Sequence, residues 1–467
     1  MLTVSVLLYV LLSVIIGIYA SKRVKNANDY MLAGKSLPMS LATTALFATW
    51  FGSETIMGAG ATFAESGLRG VIEDPFGAFL ALFLVGVVFA KHIYRLNIIT
   101  LSDLFKNRYG EGIEIISAIM MLLSLLGWIA GQFLGLGILV HVIFGVELMT
   151  SIIICAIIVT VYTVFGGMWS VALVDFIQTI VIVLGLILFA LQLHFDVAPL
   201  GEMIDAAPEG WFQFFPNANL QDWLIFIAAW ITLGFGAIPS QDIFQRVLSS
   251  KNEKVAMRSS VIGAFMYLII GMFPLIIALY ARHFLNLESY GGDTQLLLPN
   301  LVLQYASPFV QIIFMGALIS AILSTASGVI LASATVISEN IVKPLKPSIS
   351  DKQFLLSLRI SVVAVALVAL YMALSNGNIF ELVAESSSFG LVSLFVPMVA
   401  AIWIKQSRGW GAILSMVLGL AAYFLLDSED AFIPIQLTGL AWSCIGMIVG
   451  SVVQTSYDKR KSLVRKS

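Results

Sequence analysis

Residues 45–63 read ALFATWFGSETIMGAGATF. The stretch is apolar enough for lipid, yet Gly52, Gly58 and Gly60 surround a polar Ser53-Glu54-Thr55. Glycine inside a helix costs about 1 kcal/mol relative to alanine, so the stretch predicts a membrane helix interrupted near its middle. Residues 230–246, WITLGFGAIPSQDIFQR, carry the same signature in Gly234, Gly236 and Pro239. Interrupted helices in corresponding positions of two halves point to a transporter site. These two lie five spans apart, the spacing that two inverted five-helix repeats require.

The rest of the chain supplies the spans. Of its 467 residues 59% are hydrophobic and 11% charged, against roughly 25% charged in a soluble domain. Apolar runs occur at 2–20, 40–63, 71–94, 114–143, 148–168, 170–194, 222–245, 257–281, 308–341, 355–374, 379–403, 410–426 and 434–453. Each suits a hydrocarbon core of about 30 Å, which needs about 20 apolar residues per helix. Because backbone polar groups in lipid must pair within their own segment, the expectation is an all-α membrane protein of about thirteen transmembrane helices. The first run has no basic residue before it and is expected to remain as a helix rather than serve as a cleaved signal.

Threading the chain through a membrane from outside to inside at the first run places 23 of its 25 Lys and Arg residues on the inner side, leaving only Arg69 and Arg282 outside. The inner set includes Arg246 and the tail residues Lys459, Arg460, Lys461, Arg465 and Lys466. This positive-inside bias predicts a multi-pass protein of the cell inner or plasma membrane, with its N-terminus outside and its C-terminus cytoplasmic. The loop 195–221 carries Asp196, Glu202, Asp205 and Glu209 without Lys or Arg, as suits the outside. Residues 97–110, NIITLSDLFKNRYG, predict a short interfacial helix on the inside.

No linker or low-complexity tract divides the chain, so a single transport domain over 1–467 is expected, with an extra N-terminal helix and basic loop in 1–35, a core in 36–405 and two C-terminal helices with a basic tail in 406–467. Cys155 and Cys444 both fall in spans, which gives neither a disulfide framework nor a thiolate metal site. The four histidines lie at span ends with no nucleophile or metal spacing around them, so enzymatic function is not indicated. Basic residues are dispersed rather than striped, and nucleic acid is not an expected partner. Membrane lipid is.

An ionised carboxylate in a span costs roughly 2.5 to 3.5 kcal/mol on insertion scales. Glu54 therefore marks an ion or substrate site, or else a hydrogen bond to a neighbouring helix. Asp175, about five residues into the sixth span, admits an ion-site role and a structural cap or hydrogen bond equally. Glu73 and Asp74 open the third span, where a helix-dipole contact competes with a cation-facing role. In the ninth span, Ser324, Thr325 and Ser327 fall within one turn. Hydroxyls of this kind serve close helix packing, and they also suit a monovalent cation that needs several oxygens at once. Trp50 and Trp128 lie near mid-span, where an indole face can hold a quaternary ammonium by cation–π attraction worth up to about 2 kcal/mol when desolvated. Packing is the simpler role for either one.

Three motifs in order resemble the sodium/solute symporter family: FGGMWSVALVDFIQ at 165–178, QDIFQR at 241–246 and ISAILSTASG at 319–328. Within the family, ATW at 48–50, FAK at 89–91, FQRVLSS at 244–250 and LQYASP at 303–308 resemble the high-affinity choline transporters. The resemblance implies a leucine-transporter-like fold of two inverted five-helix repeats, spans 2–6 and 7–11, with one helix before them and two after. It implies a sodium site made by the carbonyls of Ala48, Phe51 and Ala321 and the hydroxyls of Ser324 and Thr325. A second sodium site would use Asp175, Ser324 and Ser327, although a further serine of that site is Gly328 here. Trp50 and Trp128 fall at two positions of an aromatic cage whose other two members are Ser240 and Ala78 in this chain. Asp74 and Thr55 fall where a sugar-transporting member contacts its substrate.

The expected function is therefore sodium-coupled import of a small organic solute by alternating access. A cationic or zwitterionic, choline-like amine is favoured because Glu54, Glu73, Asp74 and Asp242 supply acids without basic partners. A sugar, polyol or proline is the nearest alternative, served by Thr55, Ser240 and Gln241. A transporter-like sensor acting with a separate partner is the rival from another class.

Overall fold

The computed structural model describes residues 2–217, 219–286, 293–375, 377–426 and 431–464. Arg465 and Lys466, counted above with the inner basic residues, lie outside that set. Among the described residues the regular structure is helical, apart from one isolated bridge between Leu37 and Ser250. Such a result follows from a chain too apolar to leave backbone groups exposed.

Helix occupies most of each of the thirteen apolar stretches, although fewer than thirteen separate crossings are counted among the described residues. In order, α1 is Leu2–Ser21, α2 Met39–Trp50, α3 Ala59–Ser66 and α4 Ala78–Leu84. They are followed by α5 (Leu101–Tyr109), α6 (Glu111–Phe144), α7 (Leu148–Gln192), α8 (Leu220–Gly236), α9 (Gln241–Ser249) and α10 (Glu253–Phe284). The chain continues with α11 (Leu297–Tyr305), α12 (Pro308–Ile337), α13 (Asp351–Ser375), α14 (Ile379–Trp403), α15 (Gly409–Leu425) and α16 (Ile435–Val464). By length and apolarity, eight helices among the described residues are able to cross a membrane, or nine if α8 and α9 count as one broken span.

Both expected interruptions are present. Helix α2 stops at Trp50, Phe51 leaves helical geometry at φ −86°, ψ 70°, and a π-helical turn, Glu54–Gly58, leads into α3. Helices α8 and α9 are bent by 49° across residues 237–240. The two spans expected at 148–168 and 170–194 follow each other in α7, parted at Gly167 with φ 62°, ψ 179°. There a Cβ would stand 2.8 Å from the Tyr30 ring, and only glycine takes that conformation without strain.

Helix α12 is the centre of the molecule. It packs against α7, α6, α2 and α9, and its most apolar window is 78% buried. The hydroxyls of Ser333 and Thr335 bond to carbonyls one turn back, Val329 O at 3.0 Å and Leu331 O at 2.8 Å. For these two the packing role is sufficient. Helices α15 and α16 pack chiefly on one another, a pair appended to the core. The interfacial helix expected at 97–110 is α5, whose Thr100 and Asp103 form a capping box, a device that satisfies two orphan donors reciprocally.

Candidate functional site

Where α2 ends, its last carbonyls lose their intrahelical partners. The backbone oxygen of Ala48 accepts a hydrogen bond from Thr325 Oγ1 on α12 at 2.9 Å. Next to Thr325, the Ser324 hydroxyl donates to Asp175 Oδ1 on α7. Oxygen atoms from three helices thus meet at the break, the donor set suited to a small hard cation at half-helix ends. Gly52 keeps this junction tight, because a Cβ there would lie 2.5 Å from Gln132 Oε1, 2.7 Å from Glu54 Oε2 and 3.0 Å from Thr325 Oγ1.

Just past the break, the Glu54 carboxylate is 2% exposed. It accepts from Trp128 Nε1 at 3.1 Å and from Gln132 Nε2 at 2.6 Å, both on α6. Gln132 also accepts from Ser53 N at 3.0 Å. Hydrogen bonds to a charged acceptor are roughly twice as strong as neutral ones, which offsets part of the cost of placing Glu54 in the membrane. The Trp128 ring lies 5.7 Å from the Trp50 ring, centroid to centroid, at 46°. Trp50 Nε1 donates to Asp242 Oδ2 on α9 at 2.8 Å. Each indole thus spends its one donor on a different buried acid.

On the other side of the broken helix, Thr55 Oγ1 lies 2.7 Å from Asp74 Oδ2 and bonds to the Tyr267 hydroxyl of α10. Tyr267 contacts Trp50 O at 2.8 Å and Asp74 Oδ2 at 3.2 Å. Asp74 is 3% exposed, and its Oδ1 has no hydrogen-bond partner.

One expectation fails here. Asp242 is not an acid without a basic partner, because Arg246, one turn along α9, lies within electrostatic range of both Asp242 and Asp175. Its guanidinium donates to the Asp242 carbonyl at 3.0 Å. Counted by the sequence among inner basic residues, Arg246 is fully buried.

The candidates are not all brought together. Gln241 accepts from Leu101 N at 3.0 Å and donates to Ile99 O at 3.1 Å, so it ties α9 to the start of α5. Ser240 bonds to Asp242. The Ser327 hydroxyl donates back to Ser324 O at 3.0 Å. A small cavity beside Trp128 is lined by Ser124, Gly236, Ala237, Ser240, Ser386 and Ser387. Sequence reasoning missed Gln132, Tyr267, Ser386 and Ser387. Gln132 was detectable four residues after Trp128, on the same helix face; nothing local marked Tyr267 or the serines, which face the site only through the packing of α10 and α14.

A sodium:solute symporter family model matches residues 30–419. "High-affinity choline transporter 1" of Drosophila melanogaster is 30% identical over 90% of this chain and 69% of its own length. "High-affinity proline transporter PutP" of Bacillus subtilis (strain 168) is 25% identical over 94% and 95%. The solved structure of a Na+-coupled sialic acid symporter superposes with a TM-score of 0.83 over 97% of both chains at 19% identity. That likeness gives the fold, the leucine-transporter-like arrangement that the family resemblance implied.

Proposed function

The chain belongs to the sodium:solute symporter family, and from that premise we propose that it couples sodium entry to the import of a small cationic or zwitterionic amine. Its family is one of membrane transporters, not enzymes, and sodium-coupled symport of a small molecule is its common work. The specific solute and the residues are our own reading.

In that reading, sodium is held by the carbonyls of Ala48, Phe51 and Ala321 and by the hydroxyls of Ser324 and Thr325. The Thr325 to Ala48 contact supports it, since it already joins the two helices that the ion would bridge. Bound sodium ties α2 to α12 and favours the outward-open, substrate-ready state; release inside loosens that tie. Each positive charge moved inward gains about 2.3 kcal/mol per 100 mV of membrane potential.

The observation that carries the substrate class is the pair of indoles between two buried acids: Trp50 bonded to Asp242 and Trp128 bonded to Glu54. Their ring faces suit an ammonium group by cation–π attraction, and of the two acids Glu54 is the one set apart from Arg246. A neutral polar solute is the second reading, favoured by the serine hydroxyls of the cavity beside Trp128. The chain acts as one transport domain in the plasma membrane, with the N-terminus outside and the C-terminus in the cytoplasm.

The test is uptake into proteoliposomes under an inward sodium gradient, using labelled choline against competing betaines, proline, sugars and carboxylates. Sodium-dependent choline uptake supports the amine reading. Uptake of only a neutral competitor moves the assignment to the serine-lined cavity.

A further inference from the structure

We propose that Arg246 is the built-in counter-ion of Asp175, and that the pocket between them takes no second sodium ion, so that one sodium moves per cycle. The inference rests on the sodium site assigned above to Ala48, Phe51, Ala321, Ser324 and Thr325, and extends it to ion stoichiometry.

Three observations carry it. Arg246 and Asp175 are both fully buried, and each lies within electrostatic range of the other. No ion pair closer than 4.0 Å joins them among the described residues, and Asp175 Oδ2, Arg246 Nε and Arg246 Nη2 are left without hydrogen-bond partners. The space beside the guanidinium belongs to Gly328, where a Cβ would stand 2.1 Å from Arg246 Nη2 and 3.3 Å from its Cζ. A side chain at position 328 is thus replaced by a fixed positive charge.

Arginine stays protonated in proteins and is more weakly hydrated than an ammonium, so it suits a buried ion pair. A second cation near Asp175 would face that charge at close range in a low-dielectric interior, where repulsion is far stronger than in water. It would also lack a ligand at position 328, because Gly328 has no side-chain oxygen to offer. The Ser324 hydroxyl is the one polar side chain from α12 that reaches Asp175. The unfilled valences of Asp175 and Arg246 suit a bridging water, which donates to a carboxylate and accepts from a guanidinium.

Equilibrium binding of radioactive sodium to the purified full-length protein in detergent tests this directly, with ions bound per chain as the readout. One ion is expected in wild type and in Asp175→Asn, and Arg246→Gln is expected to rise towards two, because it opens space and frees the carboxylate. Arg246→Lys keeps the charge and is expected to stay at one. Two ions in wild type falling to one in Asp175→Asn would overturn the proposal, and so would a well-folded Arg246→Gln that stays at one. If Arg246→Gln does not purify as a monodisperse protein, the comparison of wild type with Asp175→Asn still decides the stoichiometry. Thr325→Ala separates the two claims. Unchanged sodium affinity in that variant sinks the site assignment, whereas lost binding there with two ions in wild type sinks only the role of Arg246.

Discussion

At the scale of single residues, the break after Trp50 turns a helix end into a set of oxygen ligands, and the chemistry of its neighbours follows. Thr325→Ala removes the hydroxyl that meets Ala48 O. Losing one such contact costs about 1 to 3 kcal/mol, so the sodium concentration for half-maximal uptake is expected to rise by about fivefold or more, with protein amount in the membrane unchanged. Replacing Trp50 separates ring from bulk. Trp50→Phe is expected to retain substrate affinity within about tenfold and Trp50→Leu to lose more than that, given what a desolvated cation–π contact is worth; equal tolerance of the two in competition binding would remove the aromatic contact from the site. Much of this was legible in the sequence, since a glutamate in an apolar span is costly and two tryptophans near mid-span depart from their usual interfacial position. The identity of their partners was not. Nothing in the sequence said that Gln132 and Trp128 would both turn to Glu54, or that Trp50 would bond to Asp242, because those pairs depend on how α2, α6 and α9 cross.

At the scale of elements, the two broken helices were legible because glycine and proline lower helix propensity and here cluster beside polar residues, and both breaks fall in the stretches so marked. The capping box of α5 was equally local: Thr100 stands three residues before Asp103. What that helix attaches to was hidden. Thr100 Oγ1 donates to Asn340 Oδ1 at 2.7 Å, and Asn340 Nδ2 donates to Asp103 at 2.9 Å and Glu114 at 3.0 Å. The residues just past α12 are thereby joined to α5 and α6. Gln241 joins α9 to the same helix, which changes its expected role from substrate contact to tether. Gln241→Ala is therefore expected to lower the thermal stability of the purified protein and the maximal uptake rate while leaving the substrate KM within about twofold, since removal of a substrate contact would instead raise KM. A KM raised well beyond that, with the rate preserved, would return Gln241 to the substrate site.

At the scale of the whole molecule, the arrangement of charge supports the proposed orientation. The two arginines assigned to the outside share one end of the structure: Arg69 donates to Phe215 O at 2.9 Å, and Arg282 donates to Ala64 O at 3.1 Å while lying 4.3 Å above the Trp211 ring. Both therefore meet the 195–221 loop or its neighbours, the segment whose four acids include Asp205. Elsewhere Lys35 donates to Asn97, Arg95 pairs with Glu253 at 2.8 Å, and Arg108 donates to the carbonyls of Ile404 and Lys405, so the basic loops that the sequence placed inside are joined to one another. Positive charge on one side and an acidic loop with the two remaining arginines on the other is what membrane insertion selects. In a variant lacking Cys155 and Cys444, Asp205→Cys is expected to react with a membrane-impermeant maleimide added to intact cells, and Lys346→Cys only after the membrane is permeabilised. The opposite labelling would reverse the molecule, and with it the direction in which sodium leaves the junction of α2 and α12.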